Sequence, residues 1–134
     1  MDRSRLLAVA LGLATAMAPR AWAQVTQRMS VNSTGREGNL GGLLTYPSIP
    51  AMSADGRYVA FQSRSDNLVP GDTNGTWDIF VRDRQSGTTE RVNVDSGGVQ
   101  GDATSNYSSI SADGRYVAFT SSASNLVQIG RAHV

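Results

Sequence analysis

The residues best placed to do chemistry lie in the segment Asp72-Thr73-Asn74-Gly75-Thr76-Trp77-Asp78. Oxygen-bearing side chains occupy alternate positions, a glycine permits a bend, and a further aspartate follows, as in calcium loops of the Asp-x-Asp-x-Asp-Gly type. The segment is two residues shorter before its glycine than such a loop, and Asn-Gly is itself a turn sequence. We therefore assign no metal site, and keep Asp72, Asn74 and Asp78 as candidate ligands for calcium.

Residues 24–127 offer few side chains that could act in catalysis. Residues 24–127 contain neither cysteine nor histidine, which excludes the common pairs of nucleophile and base within them. The carboxylates of Asp55 and Asp113 could in principle form an acid–base pair, but each lies in an equivalent Asp-Gly turn, and turn geometry explains both. We expect no catalytic residue and no cofactor other than possible calcium, and therefore no enzyme within these residues.

Aromatic residues could form a surface that binds a sugar or a peptide. The candidates are Trp77, Tyr58, Tyr116, Phe61 and Phe119. Four of them recur at equivalent positions of a repeat, inside segments that read as strands, so packing in a core is the better explanation.

The chain contains an internal repeat. The nine residues Ser53–Phe61 return unchanged as Ser111–Phe119, and Asn67-Leu68-Val69 returns as Asn125-Leu126-Val127, both after 58 positions. Thr26–Val31 resembles Thr89–Val94 at an offset of 63. A shared period in separate blocks indicates duplicated structural units.

Each unit reads as four short strands. Asp-Gly between two strand-like runs predicts a hairpin, and Tyr-Val-Ala-Phe without polar alternation predicts a strand covered on both faces. No segment has the apolar spacing of a helix, so the class is all-β. The predicted strands end at Met52 and Ile110 and span Tyr58–Ser63, Tyr116–Ser121, Trp77–Arg82, Thr88–Val94 and Thr26–Val31.

The architecture that we expect is a partial β-propeller of four-stranded antiparallel blades, about two units within residues 24–127. Radial packing of tandem sheets is one way to cover strands that are apolar on both faces. Because Thr26–Val31 matches the last strand of a unit, it could complete the final blade of a ring and remove a free edge. The full gene is then expected to end with three strands of a last unit.

These residues resemble the β-propeller repeats of the TolB-like, WD-repeat-like family of exported bacterial proteins. The resemblance rests on Ser-Ala-Asp-Gly-Arg-Tyr-Val-Ala-Phe, on Asp78–Asp83 and on the turn before Thr89–Val92, and it covers nearly all of residues 24–127. The period is longer than is usual in the family, and Ser-Ala-Asp-Gly replaces the commoner Ser-Pro-Asp-Gly. The resemblance implies a periplasmic or secreted propeller and leaves its partners open.

Both ends of the chain are expected to lie outside the folded part. Residues 1–23 have a positive start, the apolar run Leu6–Met17 and Ala21-Trp22-Ala23, which together predict a secretory signal peptide. The apolar run is too short to span a membrane, so we expect no membrane span after cleavage. Residues 128–134 match the translation of a sequencing-library adapter, and we expect them to be read-through from a truncated gene; this tail holds the single histidine, His133.

Charge excludes some partners. The whole chain has a formal net charge of +1, but residues 24–127 contain eight arginines and ten acidic residues, a net charge of −2. Scattered charge of this kind predicts no nucleic-acid partner. We expect a non-catalytic scaffold in the bacterial periplasm or outside the cell that binds protein or another cell-envelope macromolecule. The alternatives are the propeller domain of a larger peptidase or hydrolase, and a glycan-binding propeller on the cell surface.

Overall fold

A computed structural model describes residues 26–40 and 49–127 of the 134-residue chain. The predicted signal peptide and residues 128–134 lie outside these ranges. The described part of the chain contains six β-strands and no helix: β1 Ala51–Met52, β2 Tyr58–Ser63, β3 Asp78–Asp83, β4 Thr88–Arg91, β5 Ser105–Ile110 and β6 Val117–Ser121.

The six strands form two antiparallel sheets. The first has the order β1-β2-β3-β4, and each strand pairs with the one before it. The second is the hairpin β5-β6, which packs beside the first sheet. We call the four-stranded sheet the first unit and the hairpin the second unit. The all-β class and the four-stranded antiparallel unit are confirmed, and the two described sheets do not close into a ring of blades.

The turn between β1 and β2 is built by its own side chains. The Ser53 hydroxyl donates to the Asp55 carboxylate over 2.6 Å, and the same carboxylate accepts the Arg57 N–H over 3.0 Å. The Tyr58 N–H donates to the Ser53 oxygen, while Gly56 adopts a φ of 71°, which favours glycine. The same hydrogen bonds recur 58 residues later between β5 and β6. The predicted Asp-Gly hairpins are confirmed.

Strand β2 is covered on both faces, as the sequence predicts. On one face Phe61 stacks on Phe80 with ring centroids 5.8 Å apart, and Leu68 closes this cluster. On the other face Ala60 and Ile79 are fully buried, and β5 packs against the sheet. The core of the first unit is therefore completed by the second unit.

The equivalent strand β6 shares Val-Ala-Phe with β2 but has a different environment. Ala60 is 0% exposed, whereas Ala118, at the same position of the repeat, is exposed. Tyr58 is half-buried, whereas Tyr116 is 66% exposed. The expectation that all of the repeated aromatic residues pack in a core is therefore wrong for Tyr116. Burial here depends on whether another unit lies beside the strand.

Two predicted strands differ from the structure by more than one residue at an end. Thr26–Val31 is not a strand, because the described residues supply only one bridge to it, from Val31 to Glu37. The strand predicted over Thr88–Val94 ends at Arg91. Beyond it the Val92 N–H still donates to the Ile79 carbonyl over 2.9 Å, whereas the Ile79 N–H donates to the side chain of Asn93 and not to a backbone carbonyl. A strand-like pattern forms a strand only where a neighbouring backbone is within reach.

The packing of the two units predicts that two equivalent glycines respond differently to alanine. Gly56 and Gly114 have φ of 71° and 73°, so an alanine is strained to the same degree at each, by about 1 kcal/mol. A methyl group at Gly114 would in addition lie 2.9 Å from Cε2 of the Tyr58 ring and closer still to Cδ2. At Gly56 the nearest atom would be 3.5 Å away, on the flexible Arg84. We expect Gly114→Ala to destabilise by a further ~1–3 kcal/mol.

Urea denaturation measures the free energy of unfolding of Gly56→Ala and Gly114→Ala. In a Tyr58→Ala background the excess cost of Gly114→Ala should disappear, because the ring that it displaces is gone. Equal losses for the two alanine variants would show that Tyr58 does not pack on the second unit in solution.

Candidate functional site

The segment predicted to hold calcium forms a buried ion cluster. Asp72 lies in the loop before β3, Asp78 begins β3, and the Arg91 guanidinium of the adjacent β4 lies between them. Arg91 Nη1 is 3.3 Å from Asp72 Oδ1 and 3.7 Å from Asp78 Oδ2. All three side chains are nearly or completely buried. The structure therefore brings the two aspartates together around a cation that the chain itself supplies.

Amide side chains complete this cluster. Asn74 donates to Asp78 Oδ1 over 3.0 Å and to the Gly101 carbonyl over 2.9 Å. The Asn74 side-chain oxygen accepts the Thr76 N–H, so the turn uses it. The buried Asn93 amide also donates to Asp78 Oδ1. Asn74 thus presents its nitrogen to the carboxylate and its oxygen to the backbone.

This geometry favours ion pairing over metal binding. Calcium prefers six to eight oxygen ligands, and no group of three or more acidic, histidine or cysteine side chains with a metal-binding arrangement occurs in residues 26–40 and 49–127. A calcium ion between Asp72 and Asp78 would have to displace Arg91. Burial and the nearby Asp78 raise the pKa of Asp72, although Arg91 opposes the shift. A raised carboxyl pKa means that burial outweighs the single counter-ion at Asp72.

The other carboxylates that could do chemistry are used by turns. Asp55 and Asp113 each accept a hydrogen bond from the serine two residues earlier and from the backbone two residues later. These bonds, led by the serine hydroxyl, lower the pKa of both aspartates. A carboxylate with a lowered pKa is a poor proton donor near neutral pH, so neither has the properties of a general acid.

A bidentate ion pair joins the β1–β2 turn to the end of β3. Arg57 donates from Nε and Nη2 to the two carboxylate oxygens of Asp83 over 3.0 and 2.7 Å. Asp83 also accepts backbone N–H groups of Gln85 and Ser86 in the β3–β4 turn. The Arg57 bond above all, and these N–H groups, hold the pKa of Asp83 well below its ordinary value of 3.8.

The Arg57–Asp83 pair predicts how stability depends on pH. Because the folded-state pKa of Asp83 is lowered, its contribution is complete above its ordinary pKa and is lost as the pH falls toward the folded value. We expect the melting temperature to fall more steeply from about pH 5 to about pH 2 in the wild type than in Arg57→Gln. Arg115→Gln, at the equivalent position of the second unit, should keep the wild-type slope. Identical slopes for wild type and Arg57→Gln would contradict the pair.

Exposed apolar side chains recur at one position of the repeat, which the sequence analysis missed. Ile49, just before β1, is 79% exposed, and Tyr107, 58 residues later in β5, is 65% exposed. Tyr107 has a φ of 54° and lies where the pairing of β5 with β6 shifts register. A strained and exposed aromatic residue is more typical of a binding surface than of a core. Equal spacing in the two units was the signal that could have identified them.

The contacts between each unit and the loop that precedes it also repeat. Asn67 donates to the Glu37 carbonyl over 2.8 Å and accepts the Asn39 N–H over 2.9 Å. In the second unit Asn125 donates to the Gln100 carbonyl over 2.8 Å and accepts the Asp102 N–H over 3.0 Å. In each case the asparagine of one unit clamps the loop that precedes that unit. The sequence showed the repeated asparagine but not this role.

No known protein family, curated protein or solved structure matches the chain. In the parts that the structure describes, no helix has the length and apolar character needed to cross a membrane.

Proposed function

We propose that this chain belongs to an exported β-propeller scaffold, without catalytic activity of its own, that binds protein or another macromolecule of the bacterial cell envelope. The single observation that carries the proposal is the repeated clamp, in which Asn67 and Asn125 make the same two contacts to the loop before their unit. A contact that recurs in this way is expected where each unit is related to the next by the same rotation and translation. Repeated four-stranded antiparallel sheets related in that way are the construction of a propeller.

Further contacts hold the loop before the first unit to that unit and join the two units. The loop before the first unit reaches its outer strand, where the Thr89 N–H donates to the Ser33 hydroxyl over 3.0 Å. Arg82 donates to the Asn32 carbonyl over 3.0 Å. Between the two units the Ala54 N–H donates to the carbonyl of Ala112, its own equivalent in the repeat, over 2.9 Å. The resemblance to exported TolB-like repeats and the predicted signal peptide favour a location in the periplasm or outside the cell.

The binding role rests on Ile49 and Tyr107. Both are large, apolar and exposed, and both precede the β1–β2 type of hairpin at the same place in their unit. Side chains at one position of successive units would form a continuous surface along one edge of the sheets. A partner that covers Ile49 and Tyr107 would remove apolar area from water, the main source of affinity at protein interfaces.

Site-specific photo-crosslinking tests the binding role. A benzophenone amino acid replaces Tyr107 in the exported protein, and a matched control carries it at Gln85, an exposed residue of the β3–β4 turn. We expect a product of defined mass at position 107 that unlabelled wild-type protein suppresses and that position 85 does not form. Identical products at both positions, or no product at 107, would contradict a binding surface there.

A further inference from the structure

The loop that leads into β3 contains Asn74-Gly75, the one Asn-Gly sequence of the 134-residue chain. In such a pair the glycine nitrogen can attack the asparagine side chain, because glycine has no Cβ to obstruct the approach. The attack expels ammonia and changes the asparagine into an acid. Two features of the fold govern this reaction: the access of water to the glycine nitrogen and the groups that surround the side-chain amide.

The Gly75 nitrogen lies in an exposed turn. Gly75 has a φ of 65°, and a methyl group at this position would have no atom within 4 Å other than those of its chain neighbours. Among residues 26–40 and 49–127 no group accepts a hydrogen bond from the Gly75 N–H, while the Gly75 carbonyl accepts one from Arg64 over 3.0 Å. An unbonded N–H in an exposed turn is open to the base that must remove its proton.

The side-chain amide of Asn74 is held next to this nitrogen and polarised. Its Oδ1 accepts the Thr76 N–H over 3.1 Å. When the glycine nitrogen adds to Cγ, negative charge develops on Oδ1, and a backbone donor already directed at that oxygen stabilises the charge. The Asn74 Nδ2 donates to Asp78 Oδ1 over 3.0 Å and to the Gly101 carbonyl over 2.9 Å, and these bonds hold the side chain in this orientation.

We propose that Asn74 is a site of spontaneous deamidation in the folded protein, and that the reaction releases the contact between Asn74 and the loop before the second unit. The deprotonated Gly75 nitrogen bonds to Cγ, the Cγ–Nδ2 bond breaks, and the nitrogen leaves as ammonia with protons from water. Water then opens the cyclic imide to aspartate or isoaspartate, so one water is consumed for each ammonia released. The proposal does not use Ile49 or Tyr107, so it and the binding role can fail separately.

Both products replace a hydrogen-bond donor by a negative charge. The Asn74 amide nitrogen donates to the Asp78 carboxylate and to the Gly101 carbonyl, whereas an ionised carboxylate has no proton to donate to either. Asp72 and Asp78 already share the guanidinium of Arg91, so a third carboxylate beside them is repelled by like charge. Deamidation therefore turns a contact that joins the two units into a repulsive one.

Residue-level mass spectrometry of the folded full chain tests the reaction. During incubation at mildly alkaline pH, residue 74 should gain the mass difference between an amide and an acid, with ammonia released in equal amount. Asn67 and Asn125, each followed by leucine, are internal controls and should stay unchanged over the same period. Gly75→Ala should slow the conversion, since a methyl group then lies beside the nitrogen. Absence of conversion at residue 74, equal conversion at Asn67 or Asn125, or an unchanged rate in Gly75→Ala would overturn the proposal.

The variant Asn74→Asp reproduces one product and tests its consequence. The Thr73 and Gly101 amides are both hydrogen-bonded at this junction, so their hydrogen exchange reports on it. We expect exchange at both amides to be about 10- to 100-fold faster than in the wild type, because a hydrogen bond to a charged acceptor is lost. Gln85→Glu makes the same change from amide to acid at an exposed residue of the β3–β4 turn and should exchange as the wild type does. Wild-type exchange rates in Asn74→Asp would show that deamidation leaves the junction intact, contrary to the proposal.

Discussion

Replacing Phe61 by alanine is expected to lower the free energy of unfolding by about 3–5 kcal/mol, whereas Phe119→Ala should cost only about 1 kcal/mol. Both residues end the same nine-residue sequence, so local propensity is identical at the two sites. Phe61 is 7% exposed and packs against Phe80 and Leu68, while Phe119 is half-buried and lacks a third strand beside it among the described residues. The difference measures tertiary packing alone.

Equilibrium denaturation in urea, followed by tryptophan fluorescence, gives both values. Should Phe61→Ala unfold the chain completely, Phe61→Leu serves instead, with an expected loss of about 1–1.5 kcal/mol against a smaller loss for Phe119→Leu. Equal losses at positions 61 and 119 would mean that the first unit is not packed as described.

Replacing Asp78 by alanine is expected to cost about 3–5 kcal/mol, because it leaves a buried positive charge with one fewer counter-ion. Asp78 is fully buried, its Oδ1 accepts the amides of Asn74 and Asn93, and its Oδ2 faces Arg91. Asp78→Asn keeps an acceptor and loses the charge, so we expect a smaller loss than for alanine.

Calcium separates the ion cluster from a metal site. If Arg91 is the partner of Asp78, calcium changes the stability of neither protein. The wild type has the same denaturation midpoint with calcium in excess and with a chelator, and Asp78→Ala has the same, lower midpoint under both conditions. A midpoint that rises with calcium in the wild type and not in Asp78→Ala would instead establish a calcium loop, and Arg91 would have to move.

The positions of the hairpins could be read from the sequence because their causes are local. Ser53, Asp55 and Gly56 satisfy one turn through bonds that span at most five residues, and the same letters give the same turn 58 residues later. The alternation of β3 was equally readable, since Ile79 and Val81 share a face and Phe80 takes the other. Only the backbone period is needed for that.

The candidate site was readable only in part. Spacing drew attention to Asp72, Asn74 and Asp78, and the structure does bring them to one place. Their partner Arg91 comes from the next strand, 13 residues beyond Asp78 in sequence, and pattern reasoning within one loop could not include it. This contact changes the interpretation of the cluster. With Arg91 included, the residues predicted to bind calcium form a salt bridge within the chain.

By itself the sequence determined the all-β class, the four-strand unit, its turns and its period, because these follow from residue types within a few positions of one another. Tertiary structure alone decided which copy of the repeated Tyr-Val-Ala-Phe segment is buried: Ala60 lies under a neighbouring unit and Ala118 faces solvent. It also decided that, among residues 26–40 and 49–127, Thr26–Val31 forms only the single bridge from Val31 to Glu37. The physical reason is that removal of surface from water and hydrogen bonding between strands depend on two elements together. The sequence of one strand does not specify which other strand lies beside it.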